Sequence, residues 1–254
     1  MDDASAGLRI ERAGGVLTLA IARERVRNAL GLELVRDLTT AIEDADDDGS
    51  VRAIVLTADG SGFCAGSDLR ELATATPHGM LLHERRTAEL TRRIAASATP
   101  VVAAVEGFAI GGGFFLAIAC DIVVSGVGAR WSLPEVALGW VPPWGLQLLA
   151  ARVGPAAARR LCWGIDPLTA TEAHRLGAVD VLVEDGGAGA EAKRIASRLA
   201  EMPPEGVAST KRALGALILR DAEALDEDAG HRFALDVRSP AAEATMARFR
   251  VTHG

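Results

Sequence analysis

Three segments carry residue types that could do chemistry together. Gly62-Phe63-Cys64-Ala65-Gly66-Ser67-Asp68-Leu69 follows directly on an apolar, β-branched run at 51–57. A Gly/Ser turn in that place can leave backbone N–H groups unpaired and directed into a cleft. Val105-Glu106-Gly107-Phe108-Ala109-Ile110-Gly111-Gly112-Gly113-Phe114-Phe115 sets three consecutive glycines where a strand gives way to a helix. Glycines there let a substrate approach the backbone, and a helix N-terminus adds exposed donors and positive potential. Two such donors converging on one oxygen form an oxyanion hole. In Leu133-Pro134-Glu135-Val136 a single carboxylate stands in an otherwise uncharged stretch that runs to Ala151, which makes Glu135 the candidate acid or base. Each segment alone also reads as an ordinary turn or helix start, so the conjunction carries the inference.

Other motifs fail on their spacing. Asp44-Ala45-Asp46-Asp47-Asp48-Gly49 opens like a calcium loop, but the position that should hold a bidentate Glu is Val55, so the cage cannot close. A helix end and turn is the better reading. The histidines at 78, 83, 174, 231 and 253 show no metal-ligand spacing, and no metal site is expected. His78 and His83 read as exposed or capping residues. No P-loop or GxSxG elbow is present. The glycine run 107–113 lacks the spacing of a dinucleotide fingerprint.

The elements that must position these segments can be read from hydrophobic periodicity. Strand-like runs lie at 16–21, 51–57, 101–105, 122–124 and 179–183. Helix-period segments fall near 28–46, 79–97, 112–118, 155–163 and 169–176. Interleaving of the two predicts an α/β domain. After about 190 only helical stretches follow, near 188–201, 205–225 and 240–250. The expected organisation is an α/β core over residues 1–190 and a helical C-terminal section over 191–254.

The whole chain of 254 residues can bury a full core. It carries 27 Lys+Arg against 34 Asp+Glu without a segregated basic run, which argues against a nucleic-acid partner. Cys64, Cys120 and Cys162 are odd in number and widely spaced, as expected of reduced thiols in a cytosol. The acidic Met1-Asp2-Asp3-Ala4-Ser5 start does not resemble a signal peptide, and the longest uncharged stretches are too short to span a membrane. The expectation is a cytoplasmic protein with no membrane partner.

The ordered set of motifs resembles the crotonase superfamily, the enoyl-CoA hydratase/isomerase family. Arg27-Asn28-Ala29-Leu30 looks like the start of that family's first helix, and 63–69 looks like its F-x-A-G-x-D-L segment. Pro100 through Gly113 with Ala119-Cys120-Asp121-Ile122 is similar to its most distinctive block, and Pro134-Glu135-Val136 with Leu138-Gly139 to the next. Thr171-Glu172-Ala173, Leu176-Gly177, Lys211, Ser239-Pro240 and Phe249 follow its C-terminal pattern. The resemblance implies a spiral of ββα turns with a helical C-terminal section used for contacts in a homotrimer or homohexamer. It implies an acyl-CoA substrate and no cofactor beyond the coenzyme A of the thioester. It places the backbone N–H groups of Ser67 and Gly112 as the oxyanion hole. Ala65, Gly66, Asp68, Gly111, Phe115, Trp140 and Trp144 are the expected pocket residues.

Two departures shape the functional expectation. Hydratases of the family use two glutamates; the second is present as Glu135, whereas the first position is Phe115. A single base suits removal of a proton from carbon 2 and its return at carbon 4, so double-bond isomerisation is favoured, with hydration, thioester hydrolysis or a non-catalytic acyl-CoA binder as alternatives. The second departure is Trp140-Val141-Pro142-Pro143-Trp144-Gly145, where the family has a glycine-rich turn. Prolines stiffen this loop. Its tryptophans, with Trp131 and the phenylalanines at 108, 114 and 115, either pack the core or wall an acyl pocket. Asp68 is expected to brace the 62–69 turn through the backbone. The stretch 70–90, with Glu71, His78, His83, Glu84 and Arg86, reads as an exposed amphipathic helix and loop, and is also where a partner for Glu135 would be sought first.

Overall fold

The computed structural model describes residues 7–250. One sheet holds, in spatial order, β1 (Leu8–Ala13), β2 (Val16–Ile21), β3 (Ala53–Ala58), β4 (Val101–Val105), β6 (Ile122–Gly126) and β9 (Val181–Val183). Only β1 and β2 pair antiparallel; every later neighbour is parallel. A second small sheet joins β5 (Phe108–Ile110), β7 (Arg130–Ser132) and β8 (Leu168–Thr169). The helices are α1 (Leu32–Asp47), α2 (Leu69–Thr74), α3 (Pro77–Ala96), α4 (Gly112–Ile118), α5 (Glu135–Leu138) and α6 (Leu146–Val153). They continue with α7 (Pro155–Cys162), α8 (Ala170–Leu176), α9 (Ala188–Ala200), α10 (Pro204–Ile218), α11 (Ala222–Asp236) and α12 (Pro240–Arg250).

Strands buried on both faces need mainly apolar sequence, and β2 (with Thr18 its one polar residue) and β4 are buried at every position. One face of the main sheet packs into a core that includes Leu34, Leu38 and Ile42 of α1 and Leu90 and Ile94 of α3. The other face, through Val55, Val102 and Val124, receives Ala188, Ala192 and Ala196 of α9. That spacing sets small side chains on one helical stripe, which lets α9 lie close on the sheet. The division expected at 190/191 therefore falls within a helix that belongs to the sheet packing. The C-terminal section is also tied to the strands by Lys211, whose Nζ donates to Thr99 O at 3.0 Å and Asp121 Oδ2 at 2.7 Å.

Several expected elements shift. The segment Arg27-Asn28-Ala29-Leu30 does not start a helix: Arg27 and Asn28 are both left-handed at φ 56°, and α1 begins at Leu32. Asn suits that conformation because its short amide bonds locally. Asn28 Oδ1 accepts from the Arg23 N–H at 2.9 Å, and its Nδ2 donates to Asp59 O and Gly62 O, both at 2.8 Å. It is a buried strut beneath the 62–68 turn. The stretch 205–225 is two helices, broken after Ile218 and restarted at Ala222. A further strand, β1, precedes those expected; apolar and charged residues alternate over Leu8-Arg9-Ile10-Glu11. The acidic run 44–49 is the end of α1 and its following turn, as expected. All three cysteines are unpaired.

Candidate active site

Residues 64–68 run between two neighbouring backbones. On one side Leu30 N–H donates to Gly66 O at 2.8 Å and Asp68 N–H to Leu30 O at 2.9 Å. On the other, Ile110 N–H donates to Cys64 O at 3.0 Å. In such a parallel bridge the groups of residues 66 and 68 face Leu30, so the N–H of Ser67, between them, faces the opposite way. It donates to nothing in the described chain. Gly66 makes the turn possible with φ 91°, a conformation that costs a side-chain-bearing residue. The α4 N-terminus comes close because Gly113 has no side chain: a Cβ there would lie 2.3 Å from Cys64 O. Gly112, the first residue of α4, has no helical acceptor for its N–H. A Cβ on Gly66 would fall 3.1 Å from that nitrogen, and one on Gly112 3.4 Å from the Ser67 nitrogen. Two unengaged donors therefore sit side by side.

Glu135 follows Pro134 at the start of α5 and is 7% exposed. Its Oε1 lies 2.8 Å from where a Cβ of Gly111 would stand, and its buried Oε2 has no hydrogen-bond partner. Burial pushes its carboxyl up to about 8; its own backbone N–H holds it down in part, and the charge of Glu84 raises it further. An uncharged carboxyl near neutral pH can give up a proton where charge develops.

These groups line one cavity of about 50 Å³, several times what one ordered water requires. Ala65, Gly66, Ser67, Gly111, Gly112, Phe115, Glu135, Trp140 and Trp144 all line it. Asp68 does not. Its Oδ1 accepts from the N–H groups of Arg70 and Glu71 at 3.2 and 3.3 Å, capping α2, and its Oδ2 meets Arg23 at 3.3 Å. The carboxylate is turned to the turn it braces, away from the cavity. Nor does Trp131 reach the cavity: it packs edge-on against Phe114 at 5.1 Å and donates to Ser125 Oγ at 3.3 Å. Trp163 is 56% exposed. Trp144 stands against Phe115 with ring centroids 5.2 Å apart, and Trp140 meets Phe233 edge-on at 6.2 Å.

The largest correction concerns α3. His83 and Glu84 are 3% and 4% exposed, not part of a solvated face. Glu84 lines the cavity, and its Oε2 accepts from Trp144 Nε1 at 2.7 Å. His83 Nε2 lies 2.8 Å from Leu30 O, and a carbonyl can only accept, so that nitrogen carries a proton. Its Nδ1 lies 3.4 Å from Glu84 Oε1, a charge contact without hydrogen-bond alignment. Burial alone would lower His83, but the adjacent Glu84, then Leu30 O and Glu71, outweigh it and leave it raised. Phe233 from α11, Leu69 and Leu72 from α2, and Pro143 also line the cavity unforeseen. Among the described residues no three His, Cys, Asp or Glu side chains cluster as metal ligands, and no helix is long and apolar enough to cross a membrane.

Residues 11–232 match the family model described as Enoyl-CoA hydratase/isomerase. The chain belongs to this family. Within it, a 2,3-dehydroadipyl-CoA hydratase of Escherichia coli (strain K12) is 35% identical over 208 residues, 82% of this chain and 81% of that protein. A probable enoyl-CoA hydratase echA6 of Mycobacterium bovis is 37% identical over 206 residues, 81% of each chain. Among solved structures, an enoyl-CoA hydratase/isomerase from Pseudoalteromonas atlantica T6c superposes with a TM-score of 0.85 at 31% identity, covering 96% of both chains. One from Mycobacterium paratuberculosis gives 0.89 at 25% identity, covering 97% of this chain and 99% of that one. The expected crotonase-type α/β fold is the fold observed.

Proposed function

We propose that this protein acts on an enoyl-CoA thioester by proton transfer at carbon 2, with Glu135 as the acid/base and water addition at carbon 3 as the net reaction. The thioester oxygen sits between the N–H groups of Ser67 and Gly112. When water adds at carbon 3, the π electrons move towards the carbonyl and negative charge collects on that oxygen. Donors already aimed there are worth about 2.7–4 kcal/mol each in the transition state. Glu135, protonated near neutral pH, delivers its proton to carbon 2 and quenches the enolate. The observation that carries this reading is the unpartnered, buried carboxyl of Glu135 beside Gly111, in the cavity shared with the two unengaged donors. The names of the relatives as hydratases support the direction.

A second reading, isomerisation of a 3-enoyl-CoA to its conjugated isomer, draws support from Phe115. It is 1% exposed and apolar at the position that the resemblance aligns with the first glutamate of the hydratases. Glu135 alone could take the proton from carbon 2 and return it at carbon 4. Crotonyl-CoA and a 3-enoyl-CoA, followed by absorbance of the conjugated thioester, separate the two. Loss of absorbance with crotonyl-CoA that Glu135→Gln abolishes is the expected result; a rise with the 3-enoyl substrate alone would establish isomerisation. Assembly of copies through the C-terminal helices is proposed as well, supported by Leu214, Leu217 and Leu235, which are 57%, 70% and 70% exposed.

A further inference from the structure

Glu84 lines two cavities. One is the substrate cavity it shares with Glu135. The other, of about 270 Å³, lies between α3 and α11 and is lined by charged residues including Arg85, Glu89, Arg92, Asp226 and Glu227. Pro143 borders both. The Glu84 carboxylate thus stands in the partition between a mostly apolar chamber and a polar one. Its orientation is fixed from both sides, by the Trp144 N–H at 2.7 Å on Oε2 and by His83 at 3.4 Å from Oε1. The loop that carries Trp144 is itself pinned to α11: Gly145 N–H donates to Asp226 Oδ1 at 2.9 Å and Val141 N–H to Asp236 Oδ2 at 2.9 Å. Asp226 is in turn paired with Arg92 of α3. Burial obliges a carboxylate to find such partners; its position on the border of two cavities is what packing alone does not require.

We propose that Glu84 is a second catalytic carboxylate, which orients and deprotonates the water that adds to carbon 3 and draws that water from the polar cavity between α3 and α11. The inference rests on the hydration reading above. In the step, the water O–H bond breaks and its proton passes to Glu84, while the C3–O bond forms. The π pair becomes the enolate held at Ser67 and Gly112, and Glu135 transfers its proton to carbon 2. Two protons have then moved, one onto Glu84 and one off Glu135. Reset requires Glu84 to release its proton and Glu135 to regain one, and the polar cavity gives the first of these a route to solvent. His83 and Trp144 act through Glu84 and are positioning residues.

The test uses the full chain with Glu84→Gln and Glu135→Gln. It measures hydration of crotonyl-CoA and, separately, exchange of the carbon 2 protons of butyryl-CoA in D2O, which needs no added water. Glu84→Gln is expected to lower hydration at least about 100-fold, in the range of a lost general base, and to lower the ratio of hydration to carbon 2 exchange at least about 30-fold, because exchange needs no added water. Glu135→Gln is expected to lower both. Trp144→Phe keeps a ring but removes the donor to Glu84; kcat for hydration should fall about 3- to 30-fold with KM little changed. Hydration by Glu84→Gln within about 3-fold of wild type would overturn the proposal and leave the Glu135 reading intact. Isomerisation without hydration in the wild type would also overturn it. Wild type that neither hydrates, isomerises nor exchanges would remove the reading on which it rests.

Discussion

The wall formed by residues 65–67 and 111–112 faces the cavity with backbone, whereas the wall formed by α3, α5 and the 140–145 loop faces it with side chains. The first is built at a strand-to-helix junction and a glycine turn, where spare N–H groups arise from the geometry of the elements themselves. The second is built by packing: Glu84 from α3 accepts from Trp144 of the loop, 60 residues on, and shares the cavity with Glu135 from α5. A backbone wall holds a charge in a fixed place, because its donors cannot rotate away. A side-chain wall can change protonation state, which backbone N–H groups cannot. On the proposed function, stabilising an oxyanion and moving a proton are divided between the two sides.

The largest expected effect lies on the side-chain wall. Glu135→Gln should reduce turnover about 10²- to 10⁴-fold while leaving the fold intact, as measured by steady-state kinetics beside circular dichroism. The same variant should be more stable than the wild type. A carboxyl whose folded value is about 8, against an ordinary value of 4.5, loses stability as pH rises between these values, because the folded state binds the proton more tightly. An amide has no such dependence. The Tm advantage of the glutamine variant should therefore be about 2–8 °C at pH 8 and should shrink towards pH 5. A Tm difference that does not change with pH would mean that Glu135 is hydrated and not buried as described.

The backbone wall is broken most directly at Gly66. With φ 91° and a would-be Cβ 2.9 Å from Ile110 O and 3.1 Å from the Gly112 nitrogen, Gly66→Ala strains the turn and forces the two donors apart. Turnover should fall about 10²- to 10³-fold, the cost of losing one oxyanion donor. Stability should fall by about 1–3 kcal/mol, measured by urea denaturation. Full activity in this variant would show that the donors do not hold the reacting oxygen. A smaller effect is expected at Asp68, which braces this wall without facing the cavity. Asp68→Ala removes the α2 cap and the Arg23 contact; it should cost about 1 kcal/mol and change turnover only a few-fold.

The two walls also differ in how far they can be read from the chain. Glycine is required by local geometry, so the segments at 62–69 and 107–115 declare themselves as sequence patterns. Glu135 was legible because a charge in an uncharged stretch is conspicuous. Glu84 was not, because it lies in a helix rich in Glu and Arg whose composition suggests exposure. Only the packing of α3 under the 140–145 loop and α11 shows which of those charges is buried. His83 escaped for the same reason: its burial depends on Leu30, remote in sequence, offering a carbonyl. Of the two expectations for Asp68, the bracing role matches the structure and the pocket role does not: its neighbours line the cavity while its own side chain turns back onto Arg70, Glu71 and Arg23.

The smallest expected effect gives the comparison its sharpest form. The Ser67 hydroxyl makes no hydrogen bond within the described chain, and the group assigned to the thioester oxygen is its amide N–H. Ser67→Ala keeps that N–H, keeps an allowed backbone conformation and removes only the hydroxyl. Turnover should stay within about 2-fold and stability within about 0.5 kcal/mol. The comparison with Gly66→Ala matters more than either value alone. Both changes involve a single small side chain on adjacent residues, one gaining a carbon and the other losing an oxygen. If the wall works through backbone, the first is severe and the second silent. If Ser67→Ala instead lowers kcat as much as Gly66→Ala does, the hydroxyl is the working group, and the division of labour between the two walls is wrong at this residue.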